Sequence, residues 1–357
     1  MQKGLNVMAN PSIFYSISEA NRELEKWTPN ITEDQELPQK ILNAIEADTE
    51  GTICGSADDY HNLASEYARK GFYAMAATIA VAGASRYTYN IDLLADIIKY
   101  SCDSQRWNNC KKAYERLCTM NKKLWNWRAF TFSINYLIDR CSTEELLVRE
   151  VTYNEALALS KEYKESSLQD ERAWVAEAEL FLMENEVEKA IQTLVDGVAQ
   201  VGVAPQCCVK LSDIYLKRGE YENVIKYSAI GARATAQEQP SASIAYLYYV
   251  SALAKDALIH QAAREQDNGT VDGFCNHDAV NDALIDYEIA EKIFLIKHQS
   301  SYLQTIRARR IILQKKSGIV AEGNIEEEST PKSRTDNDLL RQLHLLSQII
   351  DSNNDMA

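Results

Sequence analysis

Proline and glycine are scarce in this chain of 357 residues: six of the first and 13 of the second. Both break helices, so their scarcity leaves long stretches free to be helical. No stretch reaches the ~18 apolar residues that a membrane-crossing helix needs. The opening MQKGLNVMAN carries no long apolar run, and no signal peptide is expected. There is no Gly-rich phosphate loop, no HExxH, no GxSxG and no paired CxxC, which removes the commonest nucleotide, zinc-protease and serine-hydrolase chemistries. Basic residues are outnumbered, 38 against 52 acidic, for a net charge of −14. Such a chain repels phosphate backbones, so general nucleic-acid binding is not expected. The eight cysteines follow no secretory spacing, and most fall inside helical stretches. Free buried thiols fit a reducing compartment, and a cytoplasmic location is expected.

What the chain does contain is a register of 34 residues. Tyr60, Leu63, Ala64, Tyr67, Gly71, Tyr73, Ala76 and Gly83 are followed 34 positions later by Leu94, Ile97, Ile98, Ser101, Gln105, Trp107, Cys110 and Leu117. Trp174, Phe181, Val187, Ala190 and Gly197 step in the same way onto Cys208, Tyr215, Tyr221, Val224 and Gly231. A fixed period of that size marks stacked helical hairpins, each too small to bury its own apolar face.

At these residues the pattern resembles the tetratricopeptide repeat family, whose unit is a helix–turn–helix with small residues beside an aromatic one. The best matches are YHNLASEYARKGFYAMAATIAVAGA, WVAEAELFLMENEVEKAIQTLVDGV and CVKLSDIYLKRGEYENVIKYSAIGA. The resemblance implies an all-α fold, a right-handed α-solenoid of antiparallel helix hairpins. Units are expected to start near 57, 91, 125, 171, 205 and 239, making a repeat array over 57–297. The step from 125 to 171 holds a 12-residue insertion, expected near Asp139–Arg149 between two helices. A second insertion is expected around Glu265–His277. The third unit lacks the glycine at its turn, and Glu177 stands where Leu63 and Leu211 stand in other units.

The flanks read differently. In the first 50 residues, Asn10-Pro11 opens a helix whose apolar face is Ile13, Ile17, Ala20, Leu24 and Trp27, and a second helix is expected over Glu36–Ala47. The pair would cap the open end of the first repeat. A closing helix covers 298–317, and its Arg307, Arg309 and Arg310 read as a solvated face. Residues 318–337, polar and acidic in the middle, read as a flexible linker. Over 338–352 an amphipathic helix follows, with Leu339, Leu343, Leu346 and Ile350 on one face. It is expected either to fold back as a cap or to serve as a tethered docking or self-association element.

In this family the first helix of each hairpin lines a concave groove, and the resemblance places that groove on this chain. It implies His61, Asn62, Ser65 and Arg69 in the first repeat and Asp96 and Lys99 in the second. It implies Phe130 and Tyr136 in the third, Glu179 and Met183 in the fourth, and Asp213, Leu216 and Lys217 in the fifth. The family's carboxylate clamp for chaperone tails uses Lys and Asn, where this chain has His61, Ser65 and Asp96, so that partner is not expected. A groove mixing apolar side chains with acids would suit an extended or helical peptide with apolar anchors and some basic charge. The expected function is a non-catalytic scaffold or adaptor for a protein or peptide. The alternative is a sensor subunit whose pocket, at Leu182, Met183 and Leu216, takes a signal peptide or small molecule. No cofactor is expected: Cys275, His277 and His260 supply too few zinc ligands, and no nucleophile–base set assembles with Asp272.

Overall fold

The computed structural model describes residues 16–28, 36–48, 51–234, 241–266, 277–297, 299 and 301–316. The linker 318–337 and the docking residues Leu339, Leu343, Leu346 and Ile350 lie outside the described residues, as do Asn10, Pro11, Ile13, Asp272 and Cys275. The chain divides into two compact units between Ser167 and Leu168. The described residues are helical apart from short connections and one isolated bridge, Ser16 to Cys54.

The first unit opens with α1 (Ile17–Lys26) and α2 (Glu36–Ala47). Ser16 caps α1 by accepting from the Glu19 amide, and Ile17, Ala20 and Leu24 form its buried face. Three hairpins follow: α3 (Ala57–Arg69) with α4 (Tyr73–Arg86), α5 (Ile91–Asp103) with α6 (Trp107–Cys118), and α7 (Trp127–Thr143) with α8 (Leu146–Ser166). Side-chain oxygens of Ser56, Asn90 and Asn126 cap the first helix of each hairpin. α1 packs on α3 and α2 on α4. Tyr67 donates to the Pro38 carbonyl at 2.6 Å, and Lys70 to the Trp27 carbonyl at 2.7 Å.

The insertion corrects the sequence expectation. No loop separates a helix ending near Ile138 from the next one. α7 runs on to Thr143, and only Glu144 and Glu145 intervene before α8. The extra residues lengthen both helices, and side-chain pairs tie their junction together. Arg140 pairs with Glu144, four residues on, and Thr152 of α8 donates to the same carboxylate at 2.6 Å.

The second unit holds α9 (Glu171–Met183) with α10 (Val187–Val201), α11 (Pro205–Arg218) with α12 (Tyr221–Ala234), α13 (Ala242–Gln266) with α14 (His277–Ile296), and α15 (Leu303–Lys316) against α14. Its core runs through Trp174, Leu194, Leu211, Tyr249, Tyr287 and Phe294. Arg307 and Arg310 both reach Glu291, and Arg309 lies 3.7 Å from Asp256, so these arginines are bound to acids of their own unit.

Glycine sets the closest approach between the two helices of a hairpin. A Cβ on Gly83 would sit 2.7 Å from Tyr60 Cβ, one on Gly197 2.9 Å from Trp174 Cβ, and one on Gly231 2.7 Å from Cys208 Cβ. In each case the neighbour lies 23 positions upstream, at the start of the preceding first helix.

Candidate partner-binding face

Within each unit the first helices of successive hairpins lie side by side: α3, α5 and α7 in one, α9, α11 and α13 in the other. Residues on that shared flank are brought together from positions 32 to 35 apart in sequence.

In the first unit the flank is organised by Asp96, whose side chain is fully buried. One carboxylate oxygen meets His61 Nδ1 at 2.6 Å, and the other takes the Arg128 guanidinium. A single acid on α5 thus fixes a cation-forming side chain from each neighbouring first helix. The Asp96 hydrogen bond raises the His61 pKa, against the opposing effect of burial. Arg128 also lies 3.6 Å from Asp92, which accepts from Asn126 at 2.8 Å. Ser65 and Tyr100 share a hydrogen bond of 3.1 Å, and burial pushes the Tyr100 phenol up to about 12. Lys99 Nζ stands 5.1 Å over the Phe132 ring, and Arg128 lies 5.3 Å from that ring and 5.6 Å from Trp127.

The residues singled out in the sequence fall into three groups. His61, Ser65, Asp96 and Lys99 come together on this face, Asp96 as its buried anchor. Asn62 and Arg69 are exposed beside them, with Arg69 holding Glu66. Phe130 and Tyr136 are buried instead, the first within the third hairpin and the second against the second hairpin. Phe130 stacks on Tyr163 at 4.8 Å, and Tyr136 packs on Tyr114 at 5.5 Å. On α7 it is Arg128 that reaches the Asp96 flank, with the buried Phe132 ring beneath it; neither residue was singled out in the sequence. α7 begins at Trp127 rather than 125 and has no turn glycine, so nothing in the sequence fixed its rotation.

In the second unit Glu179 pairs with Lys210 at 3.0 Å, and Tyr246 donates to Asp213 at 2.6 Å. Leu216 and Leu182 are half-buried and packed against the core, with Met183 half-buried and Lys217 exposed. The acids expected to attract a basic peptide are therefore engaged within the unit. His260 lies 3.3 Å from the buried Asp256. Among the described residues no three His, Cys, Asp or Glu side chains converge as a metal site would require, and no helix is long and apolar enough to cross a membrane.

The four turns that set the hairpin angle close in one way. Gly71, Gln105, Asn185 and Gly219 each adopt a left-handed backbone conformation, the pairs 34 residues apart. The next residue's amide then reaches back to a helix carbonyl: Phe72 to Tyr67 at 2.9 Å, Arg106 to Ser101 at 2.7 Å, Glu186 to Phe181 at 2.8 Å and Glu220 to Tyr215 at 2.9 Å. The same closure recurs at the same phase in four hairpins, and that recurrence decides the architecture.

The described residues form a tetratricopeptide-like array of helical hairpins.

No family model matches the sequence of this repeat protein, and no curated protein is detectably similar to it. Solved structures that overlap it include TTC0263, a thermophilic TPR protein of Thermus thermophilus. That match has 13% identity and a TM-score of 0.45, over 56% of this chain and 98% of the other. A tetratricopeptide repeat protein of Parabacteroides merdae overlaps at 14% identity and a TM-score of 0.43, over 84% and 98% of the two chains. Human IFIT1, solved as a dimer with m7Gppp-AAAA, overlaps at 10% identity and a TM-score of 0.38, over 84% and 69%. The architecture rests on the chain's own helices and turns.

Proposed function

We propose that this protein is a non-catalytic adaptor that binds a polypeptide segment along the α3–α5–α7 face. The observation that carries the reading is the Asp96 anchor. A buried carboxylate is costly unless well paired, and here it holds His61 and Arg128 in place across three consecutive hairpins. Side chains fixed before binding lose little freedom on contact, which favours affinity. The donors so presented include His61, Arg128, Lys99 and the Ser65 hydroxyl, which the buried Tyr100 holds. They suit an acceptor-rich ligand: the carbonyls of an extended peptide with at least one acidic side chain. Trp127, half-buried beside the Arg128 guanidinium, adds apolar surface. The preference for an acidic segment replaces the basic one expected from sequence, because Glu179 and Asp213 are already engaged.

Selection of displayed peptides of about ten residues against the full chain tests this. Enriched peptides should carry Asp or Glu, and their binding should fall at least tenfold in Lys99→Glu and Ser65→Arg. It should be unchanged in Lys112→Glu, on an exposed face of α6. Peptides whose binding ignores all three changes would place recognition elsewhere.

A further inference from the structure

A pair of thiols bridges the turn of the second hairpin. Cys102 lies in the last turn of α5 and Cys110 in the first turn of α6, with their sulfurs 3.3 Å apart. Cys110 is fully buried and lies 3.6 Å from the Ile98 carbonyl and 3.7 Å from that of Arg106. Cys102 is half-buried, so small solutes reach it first. The other described thiols differ in kind. Cys54 and Cys118 are exposed, and Cys141, Cys207 and Cys208 are buried.

We propose that Cys102 and Cys110 form an oxidative modification site, closing to a disulfide within the hairpin by exchange with a low-molecular-weight disulfide such as oxidised glutathione. The Cys102 thiolate attacks one glutathione sulfur, forming a mixed disulfide and releasing the first glutathione thiol. The Cys110 thiolate then attacks the Cys102 sulfur, and the bond to the second glutathione breaks. Two protons and two electrons leave the protein, and one oxidised glutathione becomes two reduced ones. The sulfurs must close from 3.3 Å to about 2.05 Å, a shift that side-chain rotation and small helix adjustments supply. The reaction is slow, because the neighbouring Cys110 thiol and burial, with Asp139 and Asp103 nearby, hold the Cys102 pKa far above its ordinary value.

The test is a glutathione redox series on the folded full chain, quenched by alkylation and mapped by mass spectrometry without reduction. Trypsin cuts at Lys99, Arg106 and Lys111, so the bond would join residues 100–106 to 107–111. The expected product is this linked pair, lighter than its two free peptides by about 2 Da and released by dithiothreitol. Cys110→Ala should fold, since Ala76 and Ala190 hold the equivalent position, and it should stop at a persistent Cys102–glutathione adduct. Wild-type protein that stops at that same adduct, or that keeps both thiols free while Cys54 and Cys118 are modified, would overturn the proposal. So would equal yield of the link from chain unfolded in urea.

Discussion

Gly83, Gly197 and Gly231 are required for space, and Gly71 and Gly219 for backbone angle. The two needs separate in mutation. Alanine at 83 or 231 gains helix propensity but drives a methyl into Tyr60, or into Cys208 and Leu247. A net loss of ~1–3 kcal/mol is expected in chemical denaturation. Gly71 has open space around it and a φ of +84°, so Gly71→Ala costs about 1 kcal/mol through backbone strain alone. Gln105 accepts the same left-handed conformation without being glycine, and Gln105→Gly should raise stability by ~0.5 kcal/mol. The His61–Asp96 pair gives a pH signature. Because the folded His61 pKa lies above its unfolded value, the pair's contribution is complete below the unfolded pKa and is lost as pH rises through the folded one. NMR titration should show the His61 pKa falling toward its usual value in Asp96→Asn; an unchanged pKa would mean that another group holds the ring.

At the scale of elements, helix junctions govern the outcome. The Glu171 carboxylate, in the first turn of α9, accepts the Gln206 amide at 2.7 Å in the first turn of α11. Burial outweighs that bond and pushes Glu171 up to about 7. A carboxyl with a raised pKa favours the fold in its protonated form, so stability falls as pH rises from about 4.5 to 7. Glu171→Gln keeps an acceptor without the charge, and its melting temperature should exceed wild type at pH 8, by ~2 kcal/mol in stability, and match it near pH 5. The elongated third hairpin shows where sequence reading stops. The step from 125 to 171 revealed 12 extra residues, but length alone does not say whether they loop out or extend helices. Arg140, Glu144 and Thr152 decide it through contacts between helices. Leu147, 83% exposed in the first turn of α8, contributes little to the core. Leu147→Asp should change stability by less than about 0.5 kcal/mol.

Across the whole chain, the repeat register was legible because each unit repeats the same packing problem, with small residues at fixed phase and a turn glycine or its substitute. The proposed face was legible only in part. His61, Ser65 and Lys99 follow from the first hairpin by phase, whereas Arg128 depends on where α7 begins, two residues past the expected unit start. The charge pattern misled in the other direction. Glu179 and Asp213 look like bait for a basic peptide until Lys210 and Tyr246 appear beside them from the next first helix. The chain's net charge of −14 repels an acidic ligand at long range, so added salt should speed association with the α3–α5–α7 face. The central claim is most directly tested by titrating a selected acidic peptide into full-length wild-type and Ser65→Arg protein by fluorescence anisotropy. The account predicts saturable micromolar binding by wild type and a loss of at least tenfold in the variant; equal affinity for both would contradict it.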